Sequence, residues 1–216
     1  MRRGYRLAPT RGGAASPPPA TRAYHEVMFV TVNHIPARGE AGPALEARFR
    51  ARQRMVDQLP GFRSFELLRP RQEGEYLVMT SWASRADFEA WRSSPQQRPV
   101  RPAHAGHLSQ ADEQSWPTFH ETHSELRSAD WPPPQPAVME IEPLDAPPTR
   151  VDLVEGCVSI EVLRNLEGNW LAPDDTPGPG YLLVRRWTAA SSRAGSTANA
   201  YDILQPSYAG QPAPTQ

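Results

Sequence analysis

Six consecutive residues, VMFVTV at 27–32, are apolar or β-branched without a charge among them, and Asn33 and Pro36 close the run. A stretch with no polar alternation predicts a strand covered on both faces. After the loop PARGEAGP the period changes. In ALEARFRARQRMVDQL, at 44–59, Leu45, Phe49, Val56 and Leu59 share one helical stripe, and Pro60 with Gly61 ends it. Two short runs, FRSFELL and YLVMTSW, joined by RPRQEGE, predict an antiparallel hairpin. Ser84, with Asp87 three residues on, then opens a second helix that sets Phe88 and Trp91 on one side. The order is strand, helix, strand, strand, helix. The run AVMEIEPL at 137–144 supplies the closing strand, so the expected class is α+β, a split β-α-β unit of the ferredoxin-like type.

The end of the chain echoes the middle. An offset of 95 lays VDQLPGFRSFELLR (56–69) over VDLVEGCVSIEVLR (151–164) with about half the positions identical. Ten further residues of offset lay YLVMTSW over YLLVRRW at 181–187. This predicts a second hairpin of the same kind, and DAPPTR before it leaves no room for an amphipathic helix. The chain has 25 prolines, gathered in the N-terminal stretch, at 95–102, at 132–148 and at 172–178. The expected organisation is a flexible tail over 1–26, a main domain over 27–145 with a Pro-rich insertion near 109–136, a degenerate half-repeat over 146–206, and a short tail over 207–216.

Charge narrows the function classes. With 23 Lys and Arg against 24 Asp and Glu, the chain has no global field for nucleic acid or an acidic membrane surface. Cys157 is alone, which rules out an intrachain disulfide framework, and no apolar run is long enough to span a bilayer. The arginine pair at the start lacks the apolar segment an export signal needs. The expectation is a soluble, cytoplasmic protein.

Several residues carry candidate chemistry. Arg52 sits in the middle of the apolar stripe of the first helix. Either its stem lies on the core with the guanidinium in solvent, or its fork of donors grips a carboxylate-bearing ligand. Asn33 ends a buried-type strand, where an amide must find partners. Trp91 reads as core by default. His104 and His107 follow a helix cut by Pro95, Pro99 and Pro102, while His120 and His123 in FHETH lack the spacing and acidic partner of a zinc protease motif.

Taken in order, VNHIPARGEAGPALEARFRAR, LPGFRSFELLRPRQEGEYLVMTSW and DFEAWRSSP followed by PAHAGH resemble the antibiotic biosynthesis monooxygenase superfamily. Within it they are most similar to the haem-degrading monooxygenases of the actinobacterial, mycobilin-producing type. The likeness runs through about 27–108, with an extension through 137–144 as the closing strand. It implies a ferredoxin-like fold that dimerises through its sheets into an α+β barrel. Haem, as both cofactor and substrate, would lie between sheet and helices, with O2 as co-substrate and electrons from an external reductase. Position by position, the resemblance implies Asn33 as the distal amide, Trp91 as the pocket tryptophan, His104 as the iron ligand, and Phe49 and Arg52 as pocket positions on the first helix. It thereby offers Arg52 an anion. Here roughly four extra residues and three prolines separate Trp91 from His104, and a proline inside a helix costs about 3 kcal/mol, so His107 stands as the alternative ligand.

Three functions follow as expectations. The first is O2-dependent opening of haem with release of iron. The second is cofactor-independent oxygenation of an aromatic polyketide or quinol. The third is a non-catalytic binding protein whose half-repeat occupies the dimer surface. The catalytic readings expect a homodimer, and the last a pseudo-dimeric monomer.

Overall fold

The computed structural model of the 216-residue chain describes residues 22–24, 26–51, 55–94, 115–135, 137–166, 178–191 and 199–210. A short strand, β1 (Arg22–Tyr24), lies within the segment expected as a tail, and is followed by β2 (Phe29–Ile35). Strand β2 is covered on both faces, as its unbroken apolar run predicts: Val30 and Val32 join one core, Phe29 and Ile35 another. Helix α1 (Ala41–Ala51) starts three residues before the expected 44, and the far end of the predicted stripe is a separate 3-10 turn, Met55–Gln58, which carries Val56 into the core. The hairpin follows as β3 (Phe62–Pro70) and β4 (Tyr76–Trp82), then α2 (Arg85–Arg92). The remaining strands are β5 (Trp116–Arg127), β6 (Ala137–Leu144), β7 (Cys157–Asn165), β8 (Tyr181–Thr188) and β9 (Ala200–Tyr208).

The strands run β1-β5-β2-β4-β3-β9-β6-β8-β7, and β7 pairs back onto β5, so the eight strands β2 to β9 close a barrel that β1 flanks. Every pairing is antiparallel. Closure leaves none of the eight with an open edge. Two expectations are corrected here. The strand that completes the N-terminal sheet is β5, inside the segment expected to be a Pro-rich insertion, and not 137–144. That latter run, β6, pairs with β8 and β9 instead.

Each half of the chain contributes four strands in one spatial order, β5-β2-β4-β3 and β9-β6-β8-β7. The C-terminal half therefore holds more than the expected hairpin. Local irregularities coincide at the offset of 95: a register shift falls between Phe62 and Ser64 and again between Cys157 and Ser159. Gly61 and Gly156 precede these bulges with φ of 77° and 80°. A Cβ on Gly61 would come within 2.2 Å of the Asp87 side chain, so only glycine lets the turn lie this close to α2.

The outer faces differ. In the N-terminal half α1 and α2 lie on the sheet, with Leu45 and Phe88 buried beneath them. In the C-terminal half no helix intervenes between β6 and β7. The extended segment 145–156 lies there instead, packing Val151 and Leu153 against Val138, Ile160 and Trp187. No helix among the described residues is long and apolar enough to cross a membrane.

The barrel interior is apolar along Val30, Leu68, Met79, Met139 and Val184, but its middle is ionic. Arg186 donates from Nε and Nη2 to the two Glu66 oxygens at 2.8 Å each, and from Nη1 to Glu161 Oε2 at 3.2 Å. Tyr208 donates to Glu66 at 2.7 Å and Thr122 to Glu161 at 3.1 Å. The Trp131 ring lies over the group, 5.5 Å from the Arg186 guanidinium and 4.7 Å from that of Arg127. At the offset of 95 Glu66 and Glu161 occupy matching places, whereas at the offset of 105 that relates β4 to β8 the place matching Arg186 holds Ser81.

Candidate functional site

The outer face of the N-terminal sheet, roofed by α1 and α2, gathers the aromatic side chains. Alternation along β2 sets Asn33 on the face of Phe29, Thr31 and Ile35, opposite Val78 of β4 and half-buried. Two residues back, the Thr31 hydroxyl meets that of Thr80 across the strands at 2.8 Å. The Trp82 indole donates to Thr80 Oγ1 at 3.1 Å, which satisfies the one polar atom of a fully buried ring.

Trp91 reaches this layer because α2 starts where it does. Asp87 N–H donates to Ser84 Oγ at 3.2 Å, the N-cap half of the box read from the sequence, and the Ser84 hydroxyl, rather than its backbone N–H, donates to the Asp87 carboxylate at 2.6 Å. One turn further, Phe88 is buried and Trp91 stacks on Trp82 with centroids 5.2 Å apart and planes at 29°. From α1, Phe49 packs 5.7 Å from Phe65 with the Arg48 guanidinium 5.4 Å from its ring centroid. The structure thus brings Phe49 and Trp91 into one layer and sets Asn33 on the sheet face that the layer covers, while Arg52, His104 and His107 lie outside the described residues. Sequence reasoning missed Trp82. Its signal was present as an aromatic closing β4 just before the Phe88 and Trp91 stripe.

The FHETH motif resolves differently. His120 is fully buried inside the barrel, its Nε2 3.0 Å from Thr118 Oγ1, whereas His123 is exposed and edges onto Tyr181. Burial, with the neighbouring His34 adding to it, pushes the His120 pKa down to about 4. Among the described residues no three His, Cys, Asp or Glu gather as metal ligands.

Glu125 titrates in the opposite sense. Burial, then Glu161 nearby, lifts its pKa to about 7 against the pull of Arg127, which donates to it at 2.6 Å. Between pH 4 and 6.5 the unfolded chain holds a proton on His120 that the folded chain does not, so this group favours folding increasingly as pH rises. Between pH 4.5 and 7 the folded chain holds a proton on Glu125 that the unfolded chain does not, so stability falls as pH rises. Each slope approaches about 1.4 kcal/mol per pH unit, and they oppose one another over the shared window. Glu125→Gln is expected to unmask the His120 slope, with urea midpoints climbing from pH 4.5 to 6.5 more steeply than in the wild type. Parallel profiles for the two proteins would refute the assignment.

The fold is a ring of eight antiparallel strands with an aromatic layer under two helices in one half. The family model for antibiotic biosynthesis monooxygenase matches residues 28–103. A relative of Mycobacterium tuberculosis, haem oxygenase (mycobilin-producing), is 44% identical over 79 residues, which cover 36% of this chain and 71% of that protein. The chain belongs to the antibiotic biosynthesis monooxygenase family. Among solved structures, an anthrone oxidase-like protein superposes with a TM-score of 0.54 at 12% identity, covering 91% of this chain and all of that one, and so shares the whole barrel fold. The haem-degrader of M. tuberculosis, solved with two haems bound in its active site, is 39% identical and covers 43% of this chain and 91% of that one, with a TM-score of 0.32.

Proposed function

We propose that this chain is a haem-degrading monooxygenase that works through the N-terminal half of a barrel closed within one chain. One observation carries the reading. The segment matched by the family model, 28–103, packs Phe49 and Trp91 in the aromatic layer between sheet and helices and carries Asn33 on the same face of β2 as Phe29 and Ile35 of that layer. A flat, largely apolar macrocycle suits such a layer, and the neutral Asn33 amide adds a donor without bringing a charge that would need a counter-ion. Bound haem supplies the iron at which O2 is reduced, with electrons from an external donor, and is itself the substrate opened.

The residues act as follows. His104, or His107 if the proline-bearing approach shifts the chain, presents a neutral imidazole nitrogen to the iron. Arg52 pairs with a carboxylate of the ligand through its planar fork. Asn33 donates an N–H toward the reacting side, where negative charge develops. Trp91, backed by the buried Trp82, offers a rigid ring surface against the macrocycle, and distortion of the ring is one lever on its reactivity. Phe49 and its neighbours exclude water.

The C-terminal half takes the place of a partner subunit. Support comes from the β3–β9 and β5–β7 pairings, which close the ring without a second chain. At the places matching Asn33 and Thr80 it carries Glu142 and Arg185, which pair at 2.8 Å, and 145–156 fills the face a helix would roof. One site per chain is the result.

Titrating the haem-free protein with haemin is expected to give a shifted Soret band that His104→Ala abolishes. Retention in that variant with loss in His107→Ala assigns the ligand to His107. No shift in any of the three proteins, combined with O2 uptake on a phenolic substrate, would replace the reading with cofactor-independent oxygenation. Sedimentation is expected to give the mass of one chain; a dimer would overturn the single-chain ring.

A further inference from the structure

We infer that Gln205, a residue of the C-terminal half, is a positioning residue for the site in the N-terminal half, because it fixes helix α1. The inference rests on the haem reading above for its consequence, but its geometry stands alone.

Among the described residues, Gln205 is the one non-glycine with positive φ, at 47°. Side chains other than Gly, Asn and Asp seldom adopt this region, and such outliers gather where function demands a particular side-chain direction. Its place in the ladder explains the angle. Leu67 pairs with Leu204 and Phe65 with Ser207, so Gln205 and Pro206 together oppose the single residue Glu66, a β-bulge. Ile203 faces the barrel interior and Leu204 the outer layer, so regular alternation would send Gln205 inward, toward the Glu66 and Arg186 group. The bulge turns it outward instead. Its amide Nε2 donates to the backbone carbonyl of Glu46, in the middle of α1, at 3.1 Å.

The same helix position is held from its side chain as well. Tyr76 donates to Glu46 Oε1 at 2.8 Å, and Arg69, itself bound to Asp202 of β9 at 2.9 Å, lies 3.6 Å from that oxygen. Strand β9 thus grips α1 directly through Gln205 and indirectly through Asp202 and Arg69. On α1, Leu45 is buried against the sheet and Phe49 lies within the aromatic layer, three residues from the gripped carbonyl. A displacement of about 1 Å at a site is enough to weaken it. The C-terminal half therefore does more than complete the ring. It sets the wall against which the N-terminal half binds its ligand.

The test compares full-length wild type with Gln205→Gly and Gln205→Asn. Glycine and asparagine both accept the backbone angle, and only asparagine keeps an amide. In haem-free protein, Gln205→Gly is expected to speed hydrogen exchange of the amides in 41–51 roughly fivefold, the worth of one hydrogen bond, with the strands unchanged and the thermal midpoint no lower. Haemin is expected to bind roughly fivefold more weakly to this variant, with Gln205→Asn intermediate in both measurements. Unchanged exchange in 41–51, or a uniform change across the barrel, would overturn the grip on α1. Faster exchange with haemin affinity equal to the wild type would overturn the positioning role. A wild type that ignores haemin would instead sink the haem reading, while the exchange result still decides the grip.

Discussion

Arg186→Ala is expected to cost the fold roughly 3–5 kcal/mol in urea denaturation, the usual penalty for stranding buried charge. The side chain is 2% exposed, and its partners Glu66 and Glu161 are at 0% and 3%. Removing the guanidinium leaves two carboxylates facing each other inside a closed ring, where neither reaches water. Arg186→Met fills the volume but still strands them, so its loss should remain within about 1 kcal/mol of the alanine variant. Adding Glu66→Gln and Glu161→Gln to Arg186→Met should restore most of the loss, since an apolar replacement for a buried ion group is often neutral. A penalty below about 1 kcal/mol for Arg186→Ala would mean that solvent reaches the middle of the barrel.

The second large effect is expected at Trp82. Trp82→Ala should lower stability by roughly 3–5 kcal/mol, because the ring is fully buried among Phe62, Phe88 and Trp91 and leaves a large void. Trp82→Phe keeps a ring but deletes the donor to Thr80, which should cost about 1 kcal/mol. The functional readout is separable from folding. The stacked indoles of Trp82 and Trp91 should give a coupled near-ultraviolet circular dichroism signal that disappears in Trp82→Phe and Trp91→Phe alike. Survival of the signal in either variant would show that the pair is not stacked in solution, and with it the proposed backing of Trp91 would fail.

Local features of this chain were legible where neighbours in sequence decide the structure. The Ser84 and Asp87 box, the 62–82 hairpin and the apolar β2 each need only residues within a turn or a loop, and each forms. Strand β5 was missed because its buried face is polar. His120, Thr122 and Glu125 look like loop residues until partners such as Thr118 and Arg127 satisfy them, and Glu161, the partner of Thr122, comes from the other half of the chain. The run 137–144 was rightly seen as a strand and given the wrong neighbour, because pairing across a ring leaves no mark in the pattern of one strand. Nor does YLLVRRW reveal which of its arginines is inside. Arg185 faces outward to Glu142 and Arg186 inward to Glu66, a distinction fixed only by the parity of the strand. Within the site, period alone set Phe49 on the stripe of Leu45 and Trp91 on the side of Phe88, whereas the unalternating run of β2 left the face of Asn33 open. The Gln-Pro pair at 205–206, by contrast, announces a break in a ladder without saying what the break aims at.

A ring assembled from two identical chains must place every side chain on its axis twice or not at all. Here one guanidinium serves two equivalent glutamates, a count of one against two that identical chains meeting on a twofold axis cannot realise. Linking the halves in series permits odd numbers at the centre, so the halves become chemically distinct for good. Dilution therefore cannot part them, and only a ring made of two like halves would have a mismatched interior.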